Sequence, residues 1–475
     1  MEMTGMKIFM AICMMPVLPM MFGACWFLAE EKNRTQFGVT LWQGAAESPG
    51  VQAIKKRYKK ELKLCVLISL ALFFLALLPA HESLVVTGTT VWVFFVIVLL
   101  FLPFQRANAG MKEQKREFLS SRQEQGSSGD QEEILVDVTA AGAERTKYSG
   151  KAICAGCIFA FLAPLAEIFL YRCWYRPWMP ELWLDECVLL SIALTDCLFL
   201  LYVRLFERQR TRVFTYNSRV NLQVAKIRQY HMGRLCASMA WVTGMFNWGI
   251  LCSFHMPAKW LPWLTGAISL WFGAVSITLV FRCWRKIEKS SKKYLAQELP
   301  AEEDDDNYWI WGMIYYNKHD SRTFVEPRAG LGLTANMAKP AMKYGMVLLL
   351  AFLAVFVLGA CGLCVLEEFT PVSLTYENGT LTANHWKKVY QIEQSEIKEV
   401  TLLEEEPELR RKSGTGMATV KKGDFYSDTY RRDFKVCINP NEPPFLMIES
   451  SGGGWYLLGG SDGEAAADIL DKIQP

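Results

Sequence analysis

The feature that most constrains this chain is a set of apolar runs, each roughly 20 residues long and almost free of charge. A water-soluble core has no room for so many separate unbroken runs, whereas each one matches the roughly 30 Å of hydrocarbon that a helix must cross. Eight windows are therefore expected to be transmembrane helices: Lys7 to Leu28, Leu64 to Ala80, Leu84 to Phe104, Ala152 to Tyr171, Trp183 to Val203, Leu235 to Phe254, Leu261 to Phe281 and Tyr344 to Leu366. The first is long for the apolar part of a signal peptide, carries Pro16 and Pro19, and lacks a small-residue cleavage site before Glu30. It is read as a span. Hydrophobic residues make up only 51% of the 475, so much of the chain still lies in water, as charged connectors and an ordered tail.

Orientation follows from the cations, because basic loops are retained in the cytoplasm. Segments 29–63, 105–151, 204–234 and 282–343 hold 8, 8, 8 and 11 Lys and Arg residues, whereas segments 80–83, 172–182 and 255–260 hold none, two and one. That alternation places both termini outside a plasma membrane. The tail after Leu366 has 12 basic against 19 acidic residues, so the net charge of +3 combines basic cytoplasmic faces with an acidic tail. The expected partners are the lipid bilayer and a protein bound through the tail; no nucleic-acid partner is implied. Basic runs at Lys55 to Lys60 and Arg282 to Lys293 abut span ends, where topology signals and anionic-lipid contacts look alike.

The expected fold is an α-helical polytopic membrane protein with a small α+β C-terminal domain. Its parts are helices one to three in 1–104, a flexible cytoplasmic linker in 105–151, helices four to seven in 152–283, a cytoplasmic segment in 284–343, helix eight in 344–366 and the tail in 367–475. The linker contains Gln123 to Asp130, too polar and too rich in Gly and Ser to pack. Glu302 to Asp306 reads as an acidic hinge. After it, Trp309 to Tyr316 and Thr323 to Val325 flank Asn317-Lys318-His319-Asp320, which predicts an aromatic hairpin closing on a polar turn; with its aromatics beside Arg322 and Arg328 the segment suits the headgroup level, as a structural cap on the bundle or as a ligand or partner platform. In the tail, Asn378-Gly379 joins Val372 to Tyr376 with Thr380 to Ala383 in a two-residue hairpin. Further strands are expected at Lys388 to Ile392, Arg432 to Cys437, Phe445 to Glu449 and Trp455 to Leu458. Ser461 and Glu464 form a capping box ahead of a short helix with Ala466, Ile469, Leu470 and Ile473 on one face.

The run Trp309, Gly312, Tyr315, Tyr316, Asn317, Asp320, Arg322, Phe324, Val325, followed by Arg328, Gly330, Gly332, Thr334, Asn336 and Pro340, resembles the bacterial membrane family that carries domain of unknown function 5808. The stretch Arg34 to Val39 with Ile54 to Tyr58 looks like the cytoplasmic loop of multipass proteins bearing that domain, which are related to SdpI-type immunity and signalling proteins. The extracellular Pro-x-His-Phe-Asn segment of that wider group is absent, and Arg176 to Pro180 stands in its place. The tail is similar to bacterial pleckstrin-homology-like domains. These resemblances imply a bacterial plasma-membrane protein and bring no activity with them.

Catalytic and metal motifs are missing. The histidines at 81, 231, 255, 319 and 385 form no i, i+4 pair, and neither a P-loop nor a complete Gly-x-Gly-x-x-Gly follows a strand. Cys154-x-x-Cys157 and Cys361-x-x-Cys364 lie within spans, where Cys acts mainly as a small apolar residue. No cofactor, metal or enzymatic activity is expected. The functional lead is charge in the membrane. Asp185 and Asp196 are eleven residues apart, close to three helical turns and so on one face, with Glu167 and Asn247 on neighbouring spans. A lone carboxylate there costs a few kcal/mol unless protonated, paired or hydrated. Asp196 is thus either a hydrogen-bonded structural group or part of a proton or cation pathway. The expected role is non-enzymatic, in sensing, envelope defence or interaction, with a secondary transporter using Asp196 as the alternative.

Overall fold

The computed structural model describes residues 3–14, 17–31, 35–42, 44–124, 148–173, 182–209, 213–256, 260–296, 298, 305–329, 332–460 and 463–473. Helices α1 (Met3–Met14) and α2 (Val17–Phe27) come first, followed by a hairpin of β1 (Thr35–Gln36) and β2 (Val39–Thr40). Then come α3 (Pro49–Ala76), α4 (Glu82–Glu124), α5 (Lys151–Cys173), α6 (Leu182–Glu207), α7 (Ser218–Phe254) and α8 (Leu261–Leu295). Four short strands, β3 (Trp309–Ile310), β4 (Ile314–Tyr315), β5 (Phe324–Val325) and β6 (Thr334–Ala335), precede α9 (Pro340–Phe369).

Among the described residues, seven helices are long and apolar enough to cross a membrane: Gly5–Phe27, Glu82–Ser121, Lys151–Cys173, Asp185–Glu207, Ser218–Phe254, Trp263–Leu295 and Pro340–Phe369. The window Leu64 to Ala80 does not join them. Its helix ends at Ala76, and the turns before Leu64 carry Lys55, Lys56, Arg57, Lys59, Lys60, Glu61 and Lys63. α3 nevertheless packs along α4, burying Tyr58, Leu62 and Phe73 against Trp92, Leu100 and Phe104. α5 to α8 form a second group in which Ile153, Cys157, Val203, Ala237 and Ala240 meet.

The described parts of segments 29–63, 105–151, 204–234 and 282–343 touch one another at one end of the helices. Asn108 donates to the Phe37 carbonyl at 2.7 Å, Thr40 bonds Asp306 at 3.0 Å, Gln209 reaches the Gly332 carbonyl at 3.4 Å, and Asn217 reaches Glu298 at 2.8 Å. The described residues that follow α3, α7 and α9 lie at the other end. Segment 105–151 is not a linker throughout: α4 continues to Glu124, burying Ala107, Asn108 and Met111, and residues 125–147 lie outside the described residues.

The tail folds as two sheets and a helix. β7 (Ser373–Glu377), β8 (Thr380–His385) and β9 (Lys388–Glu393) form an antiparallel meander, and the turn between the first two has Asn378 and Gly379 both at positive φ. Then β10 (Ile397–Leu403), β11 (Leu409–Gly416), β12 (Lys421–Ser427), β13 (Arg432–Ile438), β14 (Phe445–Ser450) and β15 (Trp455–Leu458) form a six-stranded sheet in the order β10-β14-β15-β13-β12-β11. Only β13 and β15 pair in parallel in this sheet. Helix α10 (Gly463–Ile473) sets Ala466, Ile469 and Ile473 into a core shared by both sheets; Ser461 of the expected capping box lies outside the described residues.

Candidate functional site

Two constellations hold the residues singled out in the sequence. The first is the seam between α5, α6 and α7. Small residues bring these helices together: a Cβ added at Gly156 would sit 2.8 Å from the Ala240 side chain, and one at Gly244 would sit 2.8 Å from Phe159. Asn247 is buried and ties the three helices, its amide donating to the carbonyls of Ala160 at 3.0 Å and Leu189 at 3.1 Å. Glu167 is buried at the tail-bearing end, with Oε2 2.7 Å from His255 Nε2. Asp185 is buried within electrostatic reach of both. Asp196 lies deeper, fully buried, beside Thr243 and Cys157. Asp185 and Asp196 therefore share an inward face of α6, while His255 joins the cluster without any sequence signal. It sits 88 positions from Glu167, and only the packing of α5 against α7 brings them into contact.

The second constellation is the module formed by β3 to β6. The single hairpin expected across Asn317 to Asp320 is not what forms. β3 pairs with β4 and β5 with β6, and a bridge from Tyr315 to Asn336 joins the two hairpins. Asn336, fully buried, organises the intervening loop: its Oδ1 accepts from the Asn317 and Ala338 amides at 3.0 and 3.1 Å, and its Nδ2 donates to the Asn317 carbonyl at 2.7 Å. Tyr315 donates to Asp320 at 3.1 Å, the Asp320 side chain accepts from the Arg322 amide at 2.9 Å, and the Tyr316 amide bonds the Tyr308 carbonyl at 2.8 Å. Phe324 and Val325 make up β5. Gly332, at φ 121°, supplies the carbonyl that Gln209 meets. Gly330 lies outside the described residues.

This module is clamped on the β1–β2 hairpin and on α4. Phe37-Gly38 and Trp311-Gly312 both turn through positive φ, and the two turns press together so closely that a Cβ on Gly38 would stand 2.4 Å from the Gly312 Cα. Glycine is required there for both its φ and its size. Arg328 is an interior residue of this clamp. It is 4% exposed, donates to the Gly38 carbonyl at 2.8 Å, and pairs with Asp305 and Asp306. Asp306 also meets Lys115 of α4 at 2.6 Å, and Lys112 donates to the Trp309 carbonyl at 3.0 Å. The end of the expected acidic hinge is thus an ion-pair centre. A buried pair between Arg228 and Glu326 ties the module to α7 as well.

At the opposite end, Glu368 of α9 accepts from the backbone amides of Glu82 and Ser83 at 3.0 and 2.7 Å, capping the start of α4. Its neighbour Glu367 pairs with Lys422 of β12 at 2.9 Å. The tail is therefore tied to α9 and, through Thr419 on Glu368 at 3.3 Å, to α4. His385, fully buried, contacts the Thr370 carbonyl at 3.0 Å. Burial, and then the neighbouring Lys422 charge, hold its imidazole below the usual histidine range against an opposing pull from Glu367. Near the basic end, burial raises the Glu30 carboxyl, but hydrogen bonds and charge from Lys59 and Lys55 at 3.1 Å outweigh it and leave the group below the ordinary carboxylate range.

Among the described residues no group of three or more His, Cys, Asp or Glu side chains is placed to hold a metal ion. Comparison of the chain with protein families, with curated proteins and with solved structures yields no match.

Proposed function

We propose that this chain is a multipass bacterial plasma-membrane protein, non-enzymatic, that couples a small outer domain to a cytoplasmic module in sensing or envelope defence. In this reading the helices make eight crossings, with α3 as the crossing that its apolar neighbours carry. Both termini are outside, the tail is a pleckstrin-homology-like domain that engages a protein partner, and the β3–β6 module belongs to the domain-5808 type. The observation that carries the reading is that α4 is held at both ends. Its first amides are capped by Glu368 beside the tail, and Asn108, Lys112 and Lys115, about 40 to 50 Å further along at 1.5 Å per residue, hold the β1–β2 hairpin and the module. A single helix of 43 residues thus runs from one clamp to the other. A carboxylate at a helix N-terminus is worth about 0.3–1 kcal/mol, rising toward about 2 when partly buried, enough to shift a balance between two helix positions several-fold. The test is hydrogen exchange of the module amides in membrane-embedded Glu368→Gln. Faster exchange in β3 to β6 supports coupling; an effect confined to the start of α4 contradicts it.

The alternative reading, a secondary transporter using Asp196, draws on the burial of that carboxylate among three helices.

A further inference from the structure

Five oxygens in the α5–α6–α7 seam, one each of Glu167, Glu186 and Asn247 and both of Asp196, are buried and make no hydrogen bond of normal geometry among the described residues, although the Thr243 side chain stands beside Asp196. All five are acceptors, so what the seam lacks is donors. Leaving buried acceptors unmatched costs roughly 1–3 kcal/mol each, and more where the group is charged. The polar groups also run in one direction. Glu167 and His255 stand at the tail-bearing end, Asn247 bridges at the level of Ala160 and Leu189, and Asp196 lies seven residues beyond Leu189, about 10 Å along α6. Past Asp196 the seam turns apolar: Ile153, Val203, Cys236 and Ala237 are buried together.

We infer that Asp196 is a proton-binding site, filled from the tail-bearing side by way of Glu167, His255 and Asn247, and closed toward the basic end. The proton fits better than a metal cation. Hard cations such as calcium take six or more oxygens, and no ligand set of that kind gathers among the described residues. A single proton converts one Asp196 oxygen into such a donor and removes the charge; no other bond forms or breaks, and no electron moves. Asp196 is faced by Cys157 from α5, Cys197 on its own helix and Thr243 from α7, and Glu167 is faced by Asp185 and Glu186 from α6 and by His255 from α7. The inference rests on the membrane-spanning reading above and names acidity on the tail side as what is sensed.

The test uses an apolar carbodiimide, which attaches to carboxylic acids within a bilayer and not to carboxylates. It is applied to full-length protein in native-membrane vesicles sorted by whether added protease reaches the tail, with attachment at Asp196 read by peptide mass spectrometry. Labelling is expected at about pH 5.5 on the tail side, slower at about pH 8.5 on that side by about tenfold per pH unit once the acid is mostly ionised, and unaffected by pH on the other side. His255→Phe should slow the response to tail-side pH without abolishing labelling at low pH. In parallel, vesicles under an imposed potential should take up protons no faster than protein-free ones. An unlabelled Asp196, labelling that follows the opposite compartment, or a protein-dependent proton flux would each overturn the proposal. The coupling reading fails separately, when protease cuts the tail and the β3–β6 module from the same side.

Discussion

At the residue scale the contacts that matter join positions far apart in the chain, and that is why sequence patterns pass over them. Arg328 reads as one more cation in a basic segment, yet it is buried against Gly38, 290 positions away, and against Asp305 and Asp306. Removing one member of a buried pair strands the others, so Arg328→Met should cost roughly 3–5 kcal/mol. The cost should appear as a drop in the opening free energy of β3 to β6 amides, and Asp306→Asn in the same chain should recover part of it. His385 supplies the pH dependence. It is neutral when folded and takes up a proton in the unfolded chain near the ordinary histidine value of about 6.5. The unfolded state therefore binds more protons below that pH, and stability is lost as pH falls from there toward the lowered folded value. Thermal unfolding of the tail sheets should show this decline, and His385→Gln should flatten it. Asp185, Asp196, Glu167 and Asn247 were all legible as polar residues in apolar spans. Their neighbour His255 was not, because it follows the last turn of α7 and looks like a connector residue.

At the element scale, legibility followed periodicity. The long helices and the Asn378-Gly379 hairpin carry strong local signals, and they form where those signals lie. β11, with Arg410-Arg411-Lys412-Ser413-Gly414, and β12, with Lys421-Lys422-Gly423-Asp424, carry almost none. They are strands because β12 pairs on β13, whose Phe434, Val436 and Ile438 are buried, and β11 pairs in turn on β12. The aromatic segment misled for the opposite reason: Trp309 to Tyr316 is uniformly strand-like, and only the Trp311-Gly312 turn splits it into β3 and β4. That turn also tests the clamp. Gly38→Ala would force a Cβ into the Gly312 backbone at a positive φ, a combination of clash and strain worth at least about 1–3 kcal/mol. Exchange of β1, β2 and β3 amides should accelerate by about tenfold or more, with α6 and α7 unaffected. An unchanged rate would mean that the two glycine turns do not hold the module in place.

At the scale of the whole molecule, seven long apolar helices among the described residues separate two polar ends. The described parts of four basic segments, distant in sequence, touch at one end, and the β-rich tail stands at the other. Charge counting assigns these connectors to one side of a membrane by a simple rule of insertion. It says nothing about what they build there, since the docking of 305–336 on the β1–β2 hairpin depends on shape and on ion pairs closed only in the folded state. The account stands on those two ends facing different compartments. The most direct measurement places single cysteines at exposed Val389 in the tail and exposed Ile310 in the module, treats intact cells with a membrane-impermeant maleimide, and reads each position by peptide mass spectrometry. The account predicts that Val389→Cys reacts in intact cells and Ile310→Cys only after lysis. Reaction of both in intact cells, or of Ile310→Cys alone, would contradict it.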